Sequence, residues 1–531
     1  MDPLTAPYFP IIYVRGYAMT PSEIAATVAT PYMGFNLGAT KVRQAWDGTV
    51  LRHVFESPLV RLMKDYGYRD TYTNGIEISG EIQARSVVIY RYYDPADSDL
   101  GNGKALSIVE AAQGLKELLH QVRDQICGDD AARRQAFRVH LVAHSMGGLV
   151  CRSFLQNDAI STPEDRAMVD KVFTYATPHN GIEVAGINVP AALGLWDMNN
   201  FNRRTMAGYL GLKGAPERVD TLDGKFDPRR FFCFVGTNQR DYEVALGLTR
   251  KLAGEMSDGL VRIENATVQE APRAFSYRSH SGTYGVVNSE DGYQNLVRFL
   301  FGDVRADGAL DVDALPLPAS IQKAKDSGKQ VRASYYFEAT VAPRGAANYK
   351  LTERRRDTCS AVLRSFDELL RPDNIGRAAP RSPVLFSAFL DTSKITVGRT
   401  MVFSVDLAVS TTGYTIDNKL WLDQHVEGEY LFRDTVVIRA TQSADDWNLR
   451  YVFADERSSE SLGTLAARDG DDYLIPLSSP KGFKGQLRLA VTRLAVAGGG
   501  GGGAAPPPPG GGGGGAGGRG GPRARAPEKN T

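Results

Sequence analysis

The segment Val139 to Val150, VHLVAHSMGGLV, sets a serine between an apolar run and a helix start. A serine hydroxyl attacks a carbonyl only when a neighbouring base takes its proton and a sharp turn lifts it clear of the backbone. The residue types around Ser145 suit such a turn. Its tightness leaves no room for large side chains two positions before and two after the serine, and Ala143 and Gly147 fill those positions. A helix that starts at the serine aims its first amides at the site, so the Met146 N–H is a candidate donor to an oxyanion. The expected chemistry is acyl transfer through a serine intermediate, against the weaker reading of an incidental turn serine.

A base is needed next, and histidine is the usual one. Of the seven histidines, His280 follows the serine turn, leaves a short strand for a loop, and precedes the last helix of the first part. His144 is expected to pack beside the turn, His179 belongs to a TPHNG turn, and His425 lies in a later part. The histidines and the scattered Cys127, Cys151, Cys233 and Cys359 lack ligand spacing, so no metal is expected. The cysteines read as buried thiols of a reducing compartment. This chemistry calls for no cofactor.

The elements that must position these groups alternate. Apolar runs at 11–14, 86–93, 139–143, 171–176 and 231–235 read as strands, and 104–126, 148–156 and 293–301 as helices. That order predicts an α/β fold, a mostly parallel sheet with helices on both faces, over residues 1–303. Residues 304–330, rich in Ala, Asp, Pro and Ser, read as a linker. From 331 to 497 the runs alternate apolar and polar residues, as in a β-sandwich-like accessory domain, with one helix near 358–370. This domain is expected to fold separately and to carry no catalytic residue. Its expected use is binding, through peripheral membrane contact or an unknown protein partner, with a purely stabilising role as the alternative. Residues 498–531, a Gly/Pro/Arg tail, should be disordered.

Four features stand in a telling order over residues 8–303: a strand followed by a glycine loop, AHSMGG, TPHNG at Thr177 to Gly181, and SDGLV followed by a histidine. In that order the chain resembles bacterial lipases, serine esterases of the α/β-hydrolase fold. The resemblance implies Asp258 of the SDGLV segment as the acid that orients His280, with Asp241 as the competitor nearer the end of its strand. It also implies the Tyr17 N–H as a second oxyanion donor. Here the loop reads Arg15-Gly16-Tyr17 where such lipases read His-Gly-x. Arg15 is expected to be structural, paired with an acid beneath the loop.

Between the strands at 171–176 and 231–235, lipase-like hydrolases insert a cover. The apolar stretch 182–212 reads as that lid or acyl-binding cap, with Leu195, Trp196, Met198 and Phe201 as candidate substrate contacts, and permanent packing on the core as the alternative.

A net charge of +1, from 62 Lys and Arg against 61 Asp and Glu, gives no case for nucleic acid. The first residues lack a secretory pattern, and no uncharged apolar stretch reaches the ~18 residues of a membrane helix. The expected location is the cytoplasm, with signal-independent export leaving the same pattern. The functional expectation is hydrolysis of a lipid or other carboxylic ester. Its rivals are acyl transfer to an alcohol by the same residues and a non-catalytic binding protein on a hydrolase fold.

Overall fold

The runs IIYV, SVVIY and FFCFVG are buried at every position instead of every second one. Such strands need cover on both faces, which a parallel sheet between helices provides. The computed structural model describes residues 4–16, 21–44, 46–73, 76–97, 101–184, 187–188, 198–214, 216–241, 256–344, 349–370, 382–395, 400–416, 419–421, 429–443, 446–454 and 462–494. Within it, β1 (Ile11–Val14), β2 (Arg69–Asp70), β3 (Ser86–Tyr90), β4 (Val139–His144), β5 (Val169–Tyr175), β6 (Phe231–Gly236) and β7 (Arg273–Ser276) form one seven-stranded sheet. Their order is β7-β6-β5-β4-β1-β3-β2, and every pair is parallel.

Helices cover both faces. α1 (Ile108–Cys127) starts on a capping box of Ser107 and Glu110 and buries Leu115, Leu119 and Val122, the stripe its spacing predicts. α2 (Met146–Gln156) follows Ser145 directly and α3 (Glu290–Phe301) precedes the β-rich half. Phe173 and Phe232 pair across β5 and β6 and face Phe299 of α3. Thr174 and Cys233, one residue along, point to the opposite face, where Thr174 Oγ1 lies 3.1 Å from His179 Nε2 and Arg152 of α2 donates to the His179 carbonyl at 2.7 Å. This is the α/β-hydrolase fold that the resemblance implies.

The β-rich half consists of two antiparallel sheets. β8 (Val304–Ala314), β10 (Val384–Leu390), β14 (Asp472–Ser478) and β15 (Lys484–Arg493) build the first, in the order β10-β8-β15-β14, with Ala467–Asp469 at its edge. β9 (Val331–Pro343), β11 (Thr400–Ile416), β12 (Tyr430–Ser443) and β13 (Asp446–Phe453) run in that order through the second. Leu310, Ile475, Leu487 and Leu489 of the first sheet share one core with Tyr335, Phe337, Val405 and Ile438 of the second. A sandwich results.

Three expectations need correction. The supposed linker 304–330 holds β8, bonded to β10 on one side and β15 on the other, and a helix at Ala319–Asp326. The supposed helix near 358–370 is a strand, Val362–Ser365, turning into a five-residue helix, Phe366–Leu370. Finally, each half has a core of its own, but the two are not separate units, because Phe389 of β10 joins the core of the first half and packs edge-on against Phe232 and Phe299 at 5.7 and 5.0 Å. Residues 1–496 form one unit. The tail 498–531 lies outside the described residues.

Candidate active site

β4 ends at His144, and Ser145 turns the chain into α2 with φ 51° and ψ −125°. A non-glycine residue holds such a backbone only where its surroundings impose it. Here the Ser145 N–H donates to the Tyr175 carbonyl at 2.8 Å, and its own carbonyl accepts from Thr177 Oγ1 at 2.8 Å. The small residues are required by contact. A methyl group on Gly147 would lie 2.3 Å from the Val14 carbonyl oxygen, and one on Gly16 would lie 2.6 Å from Ser145 Cβ. The loop after β1 therefore passes directly against the serine. Met146 is the first residue of α2, whose first-turn amides have no acceptor within the helix.

The structure brings Ser145, His280 and Asp258 together. Ser145 Oγ and His280 Nε2 are 2.9 Å apart, and His280 Nδ1 lies 2.9 Å from Asp258 Oδ2. All three residues are buried. Asp258 Oδ1 accepts the Leu260 and Val261 amides at 3.0 and 2.8 Å, so the SDGLV turn fixes its own carboxylate. The His280 N–H donates to the Asp258 carbonyl at 3.0 Å, so the two residues are joined through the backbone as well. With Nδ1–H donated to the carboxylate, Nε2 is left as the acceptor for the serine proton. Chemically, this line can generate a serine alkoxide and return the proton to a leaving group.

Asp241 is engaged elsewhere, accepting from Arg43 at 2.8 Å and Asn238 at 2.7 Å. Arg15 donates to the Met33 carbonyl. Tyr17, Leu195 and Trp196 lie outside the described residues, and Met198 belongs to a short turn, Met198–Phe201. Phe201 is buried in the core of the α/β part, and its carbonyl accepts the Ile182 amide. Among the described residues, no three His, Cys, Asp or Glu side chains gather as metal ligands.

Sequence reasoning placed His144 beside the turn, but it missed two sets of bonds that support His280. His144 Nε2 donates to the His280 carbonyl at 2.9 Å, and its ring lies 5.1 Å from the His280 ring. Burial, with His280 close by, pushes the His144 pKa down to about 3, which keeps a second positive charge away from the site. Asp291, near the start of α3, makes the other. Its Oδ2 accepts from Ser276 Oγ and Arg278 Nε, each at 3.0 Å, and its Oδ1 accepts the Lys350 amide at 3.0 Å. The carboxylate thus ties the strand and loop leading to His280 to the β-rich half. For His144, only its place directly before the serine could have drawn attention.

The PGAP1-like alpha/beta domain family matches residues 100–187, the stretch carrying α1, β4, the serine turn, β5 and the TPHNG segment. No curated protein sequence matches the chain. Among solved structures, phospholipase PlaB from Legionella pneumophila is 11% identical, with 84% of this chain and 90% of that one covered and a TM-score of 0.32. The lin2722 gene product of Listeria innocua is 13% identical, with 55% and 93% covered and a TM-score of 0.24.

Proposed function

Starting from an α/β-hydrolase domain, we propose that the protein is a serine hydrolase that cleaves carboxylic esters of lipids. The observation that carries this reading is the line Ser145 Oγ, His280 Nε2, His280 Nδ1, Asp258 Oδ2, with 2.9 Å at each hydrogen bond. Ser145 Oγ attacks the ester carbonyl while its proton passes to His280 Nε2, and Asp258 stabilises the imidazolium. The amides of Met146 and Tyr17 receive the oxyanion. Collapse breaks the bond to the alcohol, which leaves with the His280 proton, and Ser145 keeps the acyl group as an ester. Water then attacks, giving a proton to His280, which returns it to Ser145 Oγ as the bond between the serine and the acyl group breaks and the acid leaves.

The lipid assignment rests on the apolar content of 182–212, with Leu195, Trp196, Met198 and Phe201 as acyl contacts. Each methylene that a chain buries there adds ~0.8 kcal/mol, so medium and long acyl chains should be preferred over acetate. A fluorophosphonate probe tests the chemistry. It should label the unaltered chain at one residue, fail on Ser145→Ala, and label His280→Ala orders of magnitude more slowly. Labelling of Ser145→Ala at the normal rate overturns the proposal.

A further inference from the structure

Outside the sheet, Ala39–Gln44 and Val50–Phe55 form an antiparallel hairpin whose two faces have different surroundings. Its register puts Thr40 opposite Val54, Val42 opposite Arg52 and Gln44 opposite Val50 on one face, and Ala39 opposite Phe55 and Lys41 opposite His53 on the other. The second face is anchored. Ala39 and Phe55 enter the core of the catalytic part. The His53 ring lies 5.3 Å from the Tyr284 ring, and the Arg43 guanidinium lies over the same ring at 4.3 Å while pairing with Asp241. Tyr284 stands on the loop that brings His280 to Ser145, and its carbonyl accepts the Ser279 amide. The hairpin is therefore fixed beside the loop that carries the base.

The first face is open to solvent. Val42, Val50 and Val54 are 63%, 53% and 70% exposed, and Trp46 in the turn is 100% exposed. Clustered apolar side chains on one element mark a contact surface, whereas scattered ones need no explanation. Its charge selects the contact. Arg43 is paired with Asp241 on the anchored side, whereas Arg52 lies among the exposed valines, and the strand residues of that face include no carboxylate. An indole at the tip, aliphatic groups behind it and an arginine among them match a lipid–water boundary, where the ring seats at headgroup level and arginine meets phosphate oxygens.

We propose that this open hairpin face is where the protein docks on an anionic lipid surface. The inference rests on the ester-hydrolase reading and deepens it, because it names where a lipid substrate is met. The test uses the full chain carrying Ser145→Ala, so that vesicles are not consumed, floated with phosphatidylcholine vesicles with and without phosphatidylglycerol. The protein should float with the anionic mixture more than with phosphatidylcholine alone. Adding Trp46→Ser and Val54→Ser should lower that partition about tenfold or more, as loss of two interfacial anchors implies. Arg52→Glu should weaken flotation on the anionic mixture only.

Val54 and Arg52 lie on the open face and Trp46 is fully exposed in the turn, so these changes leave the core intact. Equal flotation of the altered and unaltered hairpins, or no flotation at all, overturns the proposal. Failure of the ester-hydrolase reading is separately visible: the unaltered chain would then leave a soluble short-chain ester intact while the vesicle result stood.

Discussion

At the residue scale, Asp258 can serve a histidine because its own turn already satisfies one carboxylate oxygen. Two backbone amides hold Oδ1, so Oδ2 faces His280 Nδ1 as a fixed acceptor. Asp258→Asn keeps the shape but offers an amide in place of a carboxylate, so the imidazole loses its charge partner and its correct tautomer. Ester turnover should fall by about four orders of magnitude. Asp241→Asn, which touches only the Arg43 and Asn238 contacts described above, should lose less than tenfold, and the two measured side by side as folded proteins decide the acid. Gly16→Ala offers a second check, since its methyl would press on Ser145 Cβ at 2.6 Å. The probe-labelling rate should drop while far-UV circular dichroism stays unchanged. Of these residues, Ser145 was legible because the constraints on a tight turn are local: Ala143, Gly147 and the helix after them are neighbours in sequence. The bond from His144 to the His280 carbonyl was not, because that carbonyl is 136 residues away in the chain.

At the element scale, the parallel sheet does not end at its own edge strand. The Phe275 N–H of β7 donates to Thr352 Oγ1 at 3.0 Å, and Asn295 of α3 donates to the Leu351 carbonyl at 2.9 Å. Thr352→Val keeps the shape and leaves a buried amide without its acceptor, at a cost of ~1–3 kcal/mol. Urea denaturation should report that loss, and ester turnover by the folded fraction should change little. A chain ending at Asp303 loses these bonds, the Phe389 contact and the Asp291 tie to Lys350 together, so it should express as insoluble or inactive protein. Soluble, fully active protein of that length would show that the two halves are independent after all. The expected linker explains why this was hard to read. In VRADGALDVDA every second residue from Val304 to Val312 is buried, but Ala306 and Gly308 supply little apolar signal, and the partly exposed positions between them include Arg305, Asp307 and Asp311. Strand alternation built from small residues resembles linker composition, and only the bonds to β10 and β15 distinguish them. The long runs β9, β11 and β12 were legible because valine, phenylalanine and tyrosine mark their buried faces.

For the molecule as a whole, the 61 carboxylates that balance 62 Lys and Arg stay mostly ionised above about pH 5, so between neutral pH and that point buried titrating groups, not general self-repulsion, should dominate acid sensitivity. His140 is fully buried in β4, its Nε2–H donated to the Pro7 carbonyl at 2.8 Å, and burial pushes its pKa down to about 4 despite Asp170 at 3.5 Å. Lys171 and Arg230 act on it in the same direction as burial. Burial also holds His144 and His179 below their ordinary value of 6.5. In the unfolded chain each of these rings takes up a proton near pH 6.5. The unfolded state therefore binds more protons than the folded one at lower pH, and stability must fall as pH drops from about 6.5 towards about 4. For His140 alone the loss is on the order of a few kcal/mol across that window, at 1.36 kcal/mol per pKa unit. Asp165 extends the trend at the acid end. Despite its burial, bonds from the Thr162 amide, His120 and Lys116 hold its carboxyl at about 2, so its contribution is lost only below the ordinary carboxylate range. Urea midpoints taken between about pH 7 and pH 5 should decline steadily, and His140→Gln, which cannot take up the proton, should flatten the slope even if it lowers the midpoint at neutral pH. A midpoint constant across that range in the unaltered chain would mean that these histidines are not held neutral in the folded protein.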